Sequence, residues 1–217
     1  MFEFFYNFCG LNQKLFLFAN NFTNDTSIAA QVLHFFSYPF GISKFAIYYI
    51  IAVIFFYYQL QNINNDIIRH DNFWRLYQKF TRVGIIYTCF GFIYAILKFS
   101  VNLPRPFCSL ASQSFSTIIN TQSHRCLSSF PSAHVGLVVL ISHIFWPYTN
   151  KIGKFCLILL IFAVAISRIS LAMHYPSDII YSFFVIVAVI ILGNKINDIL
   201  RDNLLLRLGS IIARVIK

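Results

Sequence analysis

The sequence is short of charge, and shortest of acid. Only 11% of its 217 residues are charged, and Asp and Glu together number 7. A soluble domain carries about a quarter charged residues, so a water-soluble, all-core helical protein is a poor reading. The acids are also scattered: Asp178 is the sole Asp or Glu between Asp71 and Asp198. With no carboxylate cluster, neither a metal site nor a cofactor is expected. The cysteines match no zinc-binding spacing. Cys89 and Cys156 fall inside apolar runs and read as packing residues. Cys108 and Cys126 bracket a long polar loop. They could form a disulfide if that loop faces an oxidising compartment, or stay as two thiols. Internal repeats and low-complexity linkers are lacking, and the length suits one domain over residues 1–217. No basic segment precedes an apolar one at the N-terminus, so no cleavable signal peptide is expected.

Apolar residues fill the chain instead: they make up 58%, with 26 Phe and 12 Tyr. Runs approaching the length of a bilayer span cover about 42–60, 80–99, 133–148, 155–171 and 178–193. The expected fold is an all-α, integral-membrane helical bundle of about five to six transmembrane helices. Residues 1–40 read as an N-terminal interfacial, partly buried segment, with 21–40 either a helix and turn or part of a sixth span. Residues 195–217 alternate charge with Leu and Ile at helical spacing and read as an amphipathic cytoplasmic tail.

The net charge of +10 does not point to nucleic acid, because the cations sit in short segments between or after apolar runs. They sort by side under the positive-inside rule. Arg69, Arg75, Lys79, Arg82, Lys151, Lys154, Lys195, Arg201, Arg207, Arg214 and Lys217 fall on one side, taken as cytoplasmic. Lys14, Lys44, Lys98, Arg105, Arg125 and Arg168 fall on the other. Three short clusters then meet on that outer face: Lys98-x6-Arg105-Pro106, Pro131-Ser132-x-His134, and Ser167-Arg168-x5-His174-x3-Asp178.

These clusters suit phosphate chemistry. Guanidinium groups match phosphate oxygens with paired hydrogen bonds, and ammonium adds a compact charge, so Arg105, Arg168 and Lys98 suit binding. Ser132 reads as the N-cap of the third span; its hydroxyl and the N–H groups of Ala133 and His134 would form an anion site. His134 and His174 suit the nucleophile and proton-transfer roles, since a neutral imidazole can attack phosphorus and a second can protonate the leaving oxygen. Asp178 follows His174 by four residues and could orient the imidazole. The other histidines read as structural: His143 as a mid-span core residue, His34 and His70 without supporting partners, and His124 with Arg125 in a solvated loop.

At these residues the chain resembles the type 2 phosphatidic acid phosphatase superfamily, which also includes vanadium haloperoxidases. The family signature is K-x6-R-P, P-S-G-H and S-R-x5-H-x3-D; this sequence has KFSVNLPRP, PSAH and SRISLAMHYPSD, departing only where Ala133 replaces Gly. The resemblance covers residues 80–193. It implies a helical bundle and metal-free phosphate release through a phospho-histidine. His174 would be the nucleophile, Asp178 its partner and His134 the general acid. Lys98, Arg105, Ser132, Ala133 and Arg168 would bind phosphate. It further implies a bacterial inner-membrane enzyme with its site on the periplasmic face. The substrate would be a phosphorylated lipid such as undecaprenyl pyrophosphate, phosphatidylglycerophosphate, phosphatidic acid or lipid A. Two alternatives carry different chemistry: a vanadium haloperoxidase-like enzyme, and a non-enzymatic lipid-binding or scrambling protein. The oligomeric state is left open.

Overall fold

Within lipid a backbone must satisfy its own hydrogen bonds, which favours helices for chains this apolar. The computed structural model describes residues 2–24, 27–111, 115 and 125–215, and every regular element among them is helical. In chain order these are α1 (Phe2–Asn7), α2 (Leu11–Asn24), α3 (Ser27–Ser37), α4 (Ile42–Gln61), α5 (Asp66–Val101), α6 (Pro106–Ser109), α7 (Ala133–Phe145), α8 (Lys151–Ser170), α9 (Pro176–Leu200) and α10 (Leu206–Val215). A π-helical turn, Arg201–Leu205, links the last two.

Among the described residues, four segments are long and apolar enough to cross a bilayer: Ile42–Gln61, Asp66–Val101, Lys151–Ser170 and Pro176–Arg214. Ala133–Tyr148 is a shorter apolar helix. The protein is thus an all-α integral membrane protein. On α4 only Phe45 and Leu60 are buried, while Ile47, Ile50, Ile54 and Phe55 are exposed. Such a surface is at home against acyl chains and costly in water.

Close packing divides the chain into two units, Met1–Ile42 with Ile93–Val187, and Ser43–Phe92 with Ala188–Lys217. In the first, α2, α3 and α7 all pack on α8. Its core joins Val135 and Val138 of α7 to Val164 and Ala165 of α8 and Ile179 of α9. A second cluster seats Phe16 of α2 against Ala172 and Tyr175. In the second unit Leu60 and Phe73 pack with Trp74, Tyr77 and Ala213. Gly193 is needed there, since a Cβ would meet the Ile86 Cα at 2.9 Å.

One local expectation, that for His143, needs correction, and two further features stand out. The polar stretch after α4 is mostly helix, because Asn65 caps α5 by accepting from the N–H groups of Ile67 and Ile68 at 3.0 and 3.1 Å. Asp66 then pairs with Arg69 one turn on, so α5 extends well before the apolar run begins. His143 is not a core residue: it lies exposed in the last turn of α7. On α2 two asparagine side chains turn inward. Asn12, Phe16 and Asn20 of α2 are buried, while Leu11, Leu15 and Phe18 face outward.

Candidate active site

The third cluster is organised by a helix end. Helix α8 stops at Ser170, and Ala172 takes a left-handed conformation at φ 54°. This turns the chain so that the amides of Met173 and His174 both donate to the Arg168 carbonyl at 3.1 Å. The spacing between Arg168 and His174 is therefore the length of a helix-terminating turn. Pro176 then begins α9, and Asp178 lies in its first turn, where a carboxylate complements the helix dipole.

The second cluster is equally constrained. Ser132 is the N-cap residue of α7, but its side chain makes no capping bond. Its N–H donates to the Asp178 carbonyl at 3.4 Å, and its carbonyl accepts from the Ser182 hydroxyl at 2.8 Å. The backbone is thus fixed to α9 while the hydroxyl is fully buried and has no partner. Ala133 is buried in the first turn of α7, beside His134.

The first cluster is pinned to the strand-like stretch before Ser132. Lys98 donates to the Ser128 carbonyl at 2.8 Å. The Arg105 N–H donates to the Cys126 carbonyl at 2.8 Å, and the amides of Ser128 and Ser129 both donate to the Leu103 carbonyl at 3.0 Å. A Cys108–Cys126 disulfide closes this loop, resolving the choice between bridge and thiols. His124 lies outside the described residues. Arg125 stacks its guanidinium 5.3 Å from the centre of the Phe99 ring.

All eight expected residues come together in the first unit. His174 feels the charges of Arg105, Lys98 and Arg168, and His134 those of Arg168, His174, Lys98 and Arg105. Burial first, and then these cations, hold the His174 imidazole well below the usual range for protonation. Six buried side-chain polar atoms among the described residues have no hydrogen-bond partner. Four belong here: Arg105 Nε, Ser132 Oγ, Arg168 Nε and His174 Nδ1. Buried polar groups are normally satisfied, so the three donors of Arg105, Ser132 and Arg168 in one place mark a position built to receive a polar ligand, while His174 Nδ1 faces Asp178.

One contact differs from expectation. His174 Nδ1 lies 3.6 Å from Asp178 Oδ2, within ion-pair range but beyond a hydrogen bond. The carboxylate is occupied by other donors. Oδ2 accepts from the Ser129 hydroxyl at 2.5 Å and the Tyr175 N–H at 2.8 Å, and Oδ1 accepts from the Tyr6 hydroxyl at 2.7 Å. Sequence reasoning missed Ser129 and Tyr6. It also missed Asn12, whose side chain donates to the Ser177 hydroxyl at 2.7 Å and accepts from the Ser177 N–H at 3.0 Å. The remaining histidines have local partners elsewhere: His70 Nε2 accepts from Trp74 Nε1 at 3.1 Å, and the His34 ring packs on Tyr38.

A helical membrane bundle with cations, two histidines and a carboxylate gathered at buried, partnerless polar atoms defines a phosphate-handling membrane enzyme. Residues 79–200 match the PAP2 superfamily, and the chain belongs to it. It is accordingly a membrane lipid phosphatase, hydrolysing phosphate esters. The crystal structure of Aquifex aeolicus LpxE has the same fold, with a TM-score of 0.63 at 18% identity over 85% of this chain and 95% of that one. No curated protein matches the chain in sequence.

Proposed function

We propose that the protein releases phosphate from a phosphorylated membrane lipid in two steps through a phospho-histidine at His174. Nδ1 of His174 faces Asp178, which leaves Nε2 for attack. In the first step the Nε2 lone pair forms a bond to phosphorus while the bond to the lipid oxygen breaks, and that oxygen takes a proton from His134. In the second, water attacks the phospho-histidine, the P–N bond breaks, and the water proton returns to His134. Lys98, Arg105 and Arg168 neutralise charge on the non-bridging oxygens, with the Ser132 hydroxyl and the first N–H groups of α7 adding donors.

The observation that carries this reading is the set of four partnerless atoms on Arg105, Ser132, Arg168 and His174. Three are suited to phosphate oxygens, and the fourth is the imidazole nitrogen that faces the carboxylate. The suppressed protonation of His174 favours the neutral form that attack requires. The Cys108–Cys126 bridge favours an outward, oxidising location for the site, the periplasmic face in a bacterial inner membrane.

The substrate is a lipid phosphate or pyrophosphate of the phosphatidic acid, phosphatidylglycerophosphate, undecaprenyl pyrophosphate or lipid A type. Phosphate release by the purified enzyme across these four in mixed micelles tests the reading and ranks them. Quenching a radiolabelled turnover in detergent at alkaline pH should trap base-stable, acid-labile label in the wild type and none in His174→Ala. Label retained in His174→Ala would remove the intermediate.

A further inference from the structure

The Asp178 carboxylate is fully buried, and its closest contact with His174 is longer than a hydrogen bond. Its position must therefore be set by the groups that do bond to it. Ser129 and the Tyr175 amide come from segments near the site in sequence. Tyr6 does not: it lies 172 residues away and outside the segment that matches the family. It supplies the contact to Oδ1.

The rest of the N-terminal segment holds Tyr6 in place. The Tyr6 ring meets Phe130 and Tyr175 edge-on, with centroids 6.4 and 6.3 Å apart. The Tyr181 hydroxyl donates to the Phe5 carbonyl at 2.9 Å. Asn12 makes its two bonds to Ser177, and Asn20 donates to the Ser170 carbonyl at 2.7 Å. Helices α1 and α2 thus fasten to both sides of the turn that carries His174, at the end of α8 and at the start of α9. Burial and the neighbouring Asp178 charge raise the Tyr6 phenol above its usual range. It therefore stays protonated, a permanent donor to the carboxylate.

We propose that Tyr6 is a positioning residue for hydrolysis, holding the Asp178 carboxylate at its station beside the His174 imidazole, with Asn12 seating the turn from which both project. This rests on the assignment of His174 as nucleophile and Asp178 as its partner. The N-terminal segment is then part of the catalytic device. A structural skirt, or a surface that grips lipid chains, would behave differently under substitution.

Tyr6→Phe removes one hydroxyl and keeps the ring packing. Its kcat should fall roughly ten- to hundredfold, the range for losing a hydrogen bond to a charged group, while KM changes less than about twofold. The loss should be equal on a lipid phosphate and on p-nitrophenyl phosphate, because positioning acts through the nucleophile and not through lipid contacts. In an Asp178→Asn background, Tyr6→Phe should cost little more. If Tyr6→Phe does not yield folded protein, Asn12→Ala should show the same signature of lower kcat at constant KM on both substrates. Wild-type kcat in Tyr6→Phe, or a loss confined to the lipid substrate, would overturn the proposal. An active Asp178→Asn enzyme would instead sink the underlying assignment of the carboxylate.

Discussion

The main-chain carbonyl of Arg168 accepts a hydrogen bond from the amide of His174, 3.1 Å away, while the Arg168 guanidinium is buried with its Nε unpartnered. One residue thus fixes the backbone of the proposed nucleophile and offers a donor to the substrate. The two contributions separate under mutation. Arg168→Lys keeps the carbonyl and the helix end but loses the planar fork. Its kcat/KM should fall on the order of 10²-fold, the scale for losing one preorganised donor, with an unchanged unfolding temperature. A parallel loss of thermal stability would assign the guanidinium a structural role.

The histidines should divide by leaving group. A lipid alkoxide leaves poorly without a proton, whereas p-nitrophenolate needs little help. General acid catalysis is worth about 10²–10⁴ in rate. His134→Ala should lose that much on lipid substrate and retain a larger fraction of aryl phosphate turnover. His174→Ala should lose both. Equal losses of His134→Ala on the two substrates would remove its acid role.

Acid should weaken the resting enzyme in a defined direction. The His174 pKa is depressed in the fold from an ordinary 6.5, first by burial and then by Arg105, Lys98 and Arg168. Below about 6.5 the unfolded chain binds a proton at this residue that the folded chain does not. This contribution to stability is present above that pH and is lost progressively as pH falls toward the folded value. Thermal unfolding in detergent should show the slope, and His174→Gln should flatten it. For the same reason, the part of the activity profile governed by the nucleophile should extend to pH values below 6.5.

Chelation should leave turnover intact, because Lys98, Arg105 and Arg168 already supply the positive charge that phosphate needs. Activity should survive EDTA, and vanadate should compete by mimicking five-coordinate phosphorus. Magnesium-restored activity after EDTA treatment would contradict the mechanism.

Reduction should loosen one phosphate ligand. Cys126 is bridged to Cys108, and its carbonyl receives the Arg105 amide. The paired Cys108→Ser, Cys126→Ser enzyme should show a KM several-fold higher, with a smaller change in kcat. An unchanged KM would show that the strand pairing alone holds Arg105.

The three clusters were legible because each is a local solution with its own spacing. The Arg168-to-His174 interval is a helix end with a left-handed Ala172, and Ser132 heads α7 in the way its neighbours suggest. Tyr6, Asn12 and Ser129 left no such mark. Their contacts span long stretches of sequence, and a single Tyr in an aromatic N-terminus or a Ser in a Ser-rich loop carries no periodicity. The start of α5 was hidden for another reason. Its Asn- and Asp-rich residues look like a loop by composition, yet Asn65 and the Asp66–Arg69 pair support a helix there. His143 was misread because its position within an apolar run says nothing about which face of α7 it occupies.

The bond between Tyr6 and Asp178 also sets an order of assembly. Tyr6 lies 172 residues ahead of Asp178, so it is made well before the carboxylate it holds. Until α9 has entered the membrane, the N-terminal helices have no first turn to grasp, and the cations and histidines made earlier have no carboxylate beside them. Nascent or truncated chains therefore carry an unfinished site among the very lipids they would act on. The site can therefore be completed only once α9 is in place.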